Sequence, residues 1–170
     1  EQSTMIATFL DHNQAILDQI VGGAGMSMGM DDSGMNMVKV MKVKDVKKAL
    51  ELVDAQVDFL NKAKWGISAE AIPVTVGADT SRAFRFKFDA DQMKKAFPAE
   101  FDVSGNSFAG GIMQSDGLMG EVLASMQGTD GLIIRMISKD DWMAIVMGDA
   151  KLLGTARRAL SQGSTMNTSL

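Results

Sequence analysis

Cysteine is absent from the 170 residues, which excludes disulfides, thiolate metal sites and cysteine nucleophiles. Histidine occurs once, as His12, and proline twice, as Pro73 and Pro98. No apolar run approaches the roughly 18 residues of a membrane-spanning helix. Basic charge is also short. The formal net charge is −4, so no phosphate-tracking surface is expected and nucleic acid is excluded as a partner. Lysines cluster at Lys39, Lys42, Lys44, Lys47 and Lys48, but aspartates surround the run, and it reads as a solvated face.

What is present is an ordinary globular composition, 46% hydrophobic and 22% charged. A chain of this length buries about 70% of its unfolded surface and needs no disulfide or metal staple. The 15 methionines outnumber the leucines, and aspartate far outnumbers glutamate. Segments between the periodic stretches are rich in Ser, Thr, Asn and Gly, and the sequence starts at Glu1 rather than Met. These features suggest a processed bacterial protein in an extracytoplasmic place: periplasm, cell envelope or medium.

Residues 1–22 are expected to form an amphipathic helix, with Met5, Ile6, Phe9, Leu10, Ile16, Leu17, Ile20 and Val21 in one stripe. That stripe must be buried, on this domain or on a partner, so self-association or protein binding through this helix is expected. Residues 23–35, rich in Met and Gly, are expected to be a flexible loop, because glycine, serine and Asp-Asp-Ser-Gly break regular structure. Residues 36–161 form the α+β domain, and 162–170 a frayed tail.

Within the domain, NMVKVMKV (36–43) reads as a strand. Residues from Lys44 to about Lys64 read as a helix on Val46, Ala49, Leu50, Val53, Val57 and Leu60. IPVTV (72–76) reads as a short strand, and RAFRFKF (82–88) as a strand with Phe84, Phe86 and Phe88 inward. A short helix capped by Asp89 or Asp91 ends at Pro98. Residues 99–115 look irregular and 116–127 helical. LIIRMIS and WMAIVM form a hairpin about Lys139-Asp140, and Asp149 caps a last helix on Leu152, Leu153, Ala156 and Leu160. The layered solution is an α+β fold: a mostly antiparallel sheet of about five strands with helices over one face.

Strand, aspartate and helix recur in VKVMKVKDVKKAL, FRFKFDADQMKKAF and MAIVMGDAKLLGTARRAL. Convergence accounts for this, since an aspartate at a helix start satisfies free N–H groups and the helix dipole. The segments VKVMKVKDVKKALELVDAQVDFL and DDWMAIVMGDAKLLGTARRAL resemble those of uncharacterised exported bacterial proteins built from such units with an Asp-x-Trp hairpin. The resemblance covers about residues 37–160 and implies an envelope or secreted location without a known activity. The chain departs from that pattern in lacking a glycine before Trp142 and in its methionine segment.

Few residues offer chemistry. His12 has no nucleophile or carboxylate at a useful spacing. No serine sits in a Gly-x-Ser-x-Gly elbow, and GNSFAGG (105–111) lacks the Gly-Lys-Ser ending of a phosphate loop. Asp31-Asp32, Asp89/Asp91 and Asp140-Asp141 fit caps and turns better than a calcium loop. The methionines Met26, Met28, Met30, Met35 and Met37 remain. Thioether sulfur is a soft, uncharged ligand that selects Cu(I). The Met-x-Met-x-Met phrase is similar to the methionine motifs of periplasmic copper-handling proteins and copper transporters. Against this stand a linker from a methionine-fond composition and an adaptable apolar surface for a partner. The expected function is therefore a non-enzymatic binding or assembly domain with no resident cofactor. The alternatives are soft-metal binding through the five methionines, and an enzyme of unspecified type.

Overall fold

The structure is a computed structural model, and it describes residues 2–31, 34–74, 81–96 and 131–161. The expected segments 99–115 and 116–127 and the tail 162–170 lie outside the described residues. In chain order the elements are α1 (Gln2–Leu17), β1 (Ile20–Asp31), β2 (Gly34–Val43), α2 (Val46–Ala63), β3 (Ile67–Ala71), β4 (Ser81–Phe88), α3 (Ala90–Ala96), β5 (Leu132–Lys139), β6 (Trp142–Met147) and α4 (Leu152–Ser161). The described strands make one sheet of six, ordered β1-β2-β6-β5-β4-β3, with every adjacent pair antiparallel. The expected α+β class and antiparallel sheet are both present.

Three differences from the sequence reading matter. The first helix, expected to run to 22, ends at Leu17; Ile20 to Gly22, expected in it, and residues 23–31, expected to be loop, belong to the 12-residue strand β1, and the following strand starts at Gly34 rather than 36. Pairing with β2 supplies the hydrogen bonds that the weak local propensity of GGAGMSMGM does not secure. Of the strand expected at 72–76, residues 72–74 are not strand and 75–76 lie outside the described residues; the strand found beside β4 is Ile67–Ala71, although the Ile72 N–H still reaches the Ala83 carbonyl. The helices, expected on one face, are shared between both.

Strand alternation explains that division. On one face, Val38, Val40, Ile137, Ala144 and Val146 pack under Ala156 and Leu160 of α4. On the other, Met41, Val43, Met136 and Met143 pack under Leu50 of α2, and Phe84 packs beside Val57. The sheet thus has a valine face and a methionine face. α1 lies beside α2 rather than away from the domain: Ile6 and Phe9 are buried against Leu60 and Trp65, with Phe59 and Phe86 at the margin. Phe9 and Trp65 meet edge to face, 5.7 Å between ring centroids.

Aspartate caps form at Asp45 and Asp149 as expected, and of the two candidates Asp89 and Asp91 it is Asp89 that caps α3. Asp45 accepts from the Lys48 N–H at 3.0 Å, Asp89 from the Gln92 N–H at 3.0 Å, and Asp149 from the Lys151 N–H at 2.8 Å. The Phe84–Phe88 side of β4 faces α2, and the register sets Phe84 opposite Ile134. Phe84 is the residue fully enclosed there; Phe86 is half-buried. One glycine is required by its place. Gly23 lies in the irregular stretch of β1 with φ of +56°, and a Cβ there would stand 2.7 Å from the Trp142 ring.

Candidate functional site

The five methionines singled out in the sequence meet on the β1–β2 hairpin. The register pairs Met30 with Met35, Met28 with Met37, and Met26 with Lys39. It then continues from Met37 to Met147 on β6 and from Met147 to Ile134 on β5. Residues directly opposite on adjacent strands share a face, with Cβ atoms about 4.5–5.5 Å apart. Met28, Met37 and Met147 therefore form a transverse row on the methionine face. Burial falls along that row: Met147 is enclosed, Met37 half-buried, and Met28 60% exposed. Its neighbour Met26 is 59% exposed.

The backbone of β1 carries a second feature. The Val43 N–H donates to the Asp141 carbonyl on the β6 side, and the Lys44 N–H donates to the Gln19 carbonyl on the β1 side. In an antiparallel ladder successive residues direct their hydrogen-bonding groups to opposite neighbours. On β2, then, Val38, Val40 and Asn36 address β1. Their partners Gly25, Ser27 and Gly29 point inward. Met26, Met28 and Met30 direct both N–H and C=O outward, to an edge along which no further strand lies among the described residues.

The other face at this edge is nearly bare. Gly25, Ser27 and Gly29 alternate with the methionines and bring no bulk to it. Beside them, at the start of α4, lies a groove of about 480 Å³ whose lining includes Ser27, Gly29, Val38, Leu152 and Thr155. Asn36 braces this corner by accepting the Asp149 N–H at 2.9 Å.

The opposite edge is built differently. The bond from the Ile72 N–H to the Ala83 carbonyl sets the phase of β3, so Ala69 directs its groups away from β4. Both are taken by the Asn61 side chain of α2. Its Nδ2 donates to the Ala69 carbonyl and its Oδ1 accepts the Ala69 N–H, each at 2.8 Å. The carboxamide stands in for a neighbouring strand.

Other candidates do not assemble into a centre. His12 lies against Phe59, 5.6 Å between ring centroids, and its Nδ1 has no hydrogen-bond partner. Among the described residues no group of three or more His, Asp or Glu side chains could hold a metal ion. Among them, too, no helix is long and apolar enough to cross a membrane. Comparison with protein-family models, with curated proteins and with solved structures returns no match.

Sequence reasoning found the methionines but not the edge, nor Met147 as part of their row, nor Asn61. One signal was there to be used. Methionine at 26, 28 and 30 is a period-two pattern, the period of a strand.

Proposed function

We propose that this chain is a non-enzymatic interaction domain that binds protein by strand addition along β1, in an extracytoplasmic compartment of a bacterium. The observation that carries the reading is the outward set of N–H and C=O groups at Met26, Met28 and Met30, beside two methionine side chains about 60% exposed. Strand addition draws affinity from main-chain hydrogen bonds and specificity from sites for alternate side chains. The methionine row would receive one set of side chains and the groove beside α4 the other. Thioethers suit such a surface because they are flexible and polarizable. The compartment rests on composition and on the resemblance of the strand–aspartate–helix units. Association through α1 is a narrower route, because Ile6 and Phe9 are used inside the fold and leave Leu10 and Leu17 exposed.

The test is selection of random 12-residue peptides on the wild-type chain, followed by binding measurements on Met28→Pro. Proline removes an outward N–H without taking a bond from the β1–β2 ladder. Peptides with alternating apolar residues should bind the wild type and lose affinity for Met28→Pro. Equal binding to both would end the strand-addition reading.

One observation favours a second reading, soft-metal binding. The Met28–Met37–Met147 register lines up thioethers that suit Cu(I). Lys39, opposite Met26, weighs against it by placing a cation beside the row. Anaerobic titration with Cu(I) decides: a site lost in Met28→Leu and Met37→Leu supports metal binding, and no uptake by the wild type removes it.

A further inference from the structure

We infer that the occupant of the β1 edge is a second copy of this chain, paired antiparallel about a two-fold axis at Met28. This rests on the strand-addition reading and names its partner.

Geometry gives the first argument. The outward-facing residues Met26, Met28 and Met30 are spaced evenly about Met28. A two-fold axis there sets Met28 against its own copy, and Met26 against Met30 of the partner subunit. All three positions then form facing pairs, each exchanging two hydrogen bonds. The edge is complementary to itself, as an isologous interface requires.

Charge gives the second. From Ile20 to Met30 the strand has no ionisable side chain, and its one charged residue is Asp31 at the end. No charge between Ile20 and Met30 therefore opposes a second copy at the three facing pairs.

Steric fit gives the third. On the α4 side, Gly25, Ser27 and Gly29 present nothing that would hold two copies apart. On the other side, the row from Met147 through Met37 to Met28 runs on into the second copy, beside the exposed thioethers of Met26 and Met28.

The far edge explains why pairing stops at two. A long, uncharged, open strand is an association hazard. A two-fold contact consumes that edge in both copies. The Asn61 carboxamide occupies Ala69 at the middle of β3, so among the described residues that edge offers no second template. With one edge open and one closed among the described strands, pairing gives a discrete dimer rather than a growing ribbon.

Sedimentation equilibrium on the wild type and Met28→Pro is the first arm of the test. The wild type should dimerise at tens of micromolar, and Met28→Pro should weaken the dimer by about tenfold or more. The second arm uses the cysteine-free sequence and does not depend on that variant folding. Met28→Cys places one thiol opposite its own copy, with Cα atoms about 5.5 Å apart, within disulfide reach. Met26→Cys faces Met30 of the partner subunit and has no thiol opposite. Air oxidation should cross-link Met28→Cys at least about ten times faster than Met26→Cys, a ratio set by the distance requirement. A wild type that stays monomeric overturns the second copy as occupant, and the peptide selection then judges strand addition separately. A dimer unaffected by Met28→Pro, or equal cross-linking at both positions, overturns it as well, because the interface would lie elsewhere.

Discussion

The two edges of the sheet end in opposite ways. β3 has five residues, includes Glu70 and has its central backbone pair held by Asn61. β1 has 12 residues, is uncharged until Asp31, and turns the N–H and C=O groups of three methionines outward. Short length, charge and side-chain cover are the usual ways of blunting an edge. Among the described residues one edge has all three, while the other has only a terminal aspartate. Under the proposed function the closed side would serve stability and the open side contact.

That division can be broken in order of expected effect. Phe84, 3% exposed, anchors the closed side against α2. Phe84→Ala should cost about 3–5 kcal/mol in urea unfolding. Met28→Ala, at an exposed position, should cost no more than about 0.5 kcal/mol. Comparable losses from the two would show that β1 is built into the core.

Next, Asn61→Leu removes both bonds to Ala69. Leaving that backbone pair unmet should cost about 1–3 kcal/mol. The same change opens a second edge, so light scattering should find species larger than those of the wild type. A stable variant of unchanged mass would deny that Asn61 closes the sheet.

No larger is the contrast between neighbouring prolines. Ser27 points its N–H toward Val38 and Met28 points its own away. Ser27→Pro should lose about 1–3 kcal/mol by stranding the Val38 carbonyl. Met28→Pro should leave the thermal unfolding curve of a dilute, monomeric sample close to wild type. Equal losses would reverse or erase the assigned hydrogen-bond phase.

How much of this was legible in the sequence depended on the range of the signal. The Phe84–Phe88 alternation, the hairpin of β5 and β6, and the caps Asp45 and Asp149 are local patterns, and each was readable; for α3 the sequence left Asp89 and Asp91 as alternatives. β1 was not, because its glycines suppress strand propensity and its pairing with β2 had to override it. The expectation for β3 settled on the apolar IPVTV, whereas ISAEA is the segment that pairs, with Asn61 of a preceding helix beside it. Helices on both faces were missed because β2 alternates valine with methionine and lysine, so only one side read as core. The candidate methionines were visible as a cluster. Their outward backbone was not, since which amides face out follows from the register with β2 and the phase with β6.

Amide hydrogen exchange along β1 tests the central claim most directly. Below the concentration of self-association, the amides of Met26, Met28 and Met30 should exchange quickly, while those of Gly25, Ser27 and Gly29 are protected by β2. The account predicts this residue-by-residue alternation. Uniform protection from 25 to 30 would mean the edge is covered within the chain, and uniformly fast exchange would mean the strand does not form; either result would contradict an open edge on β1.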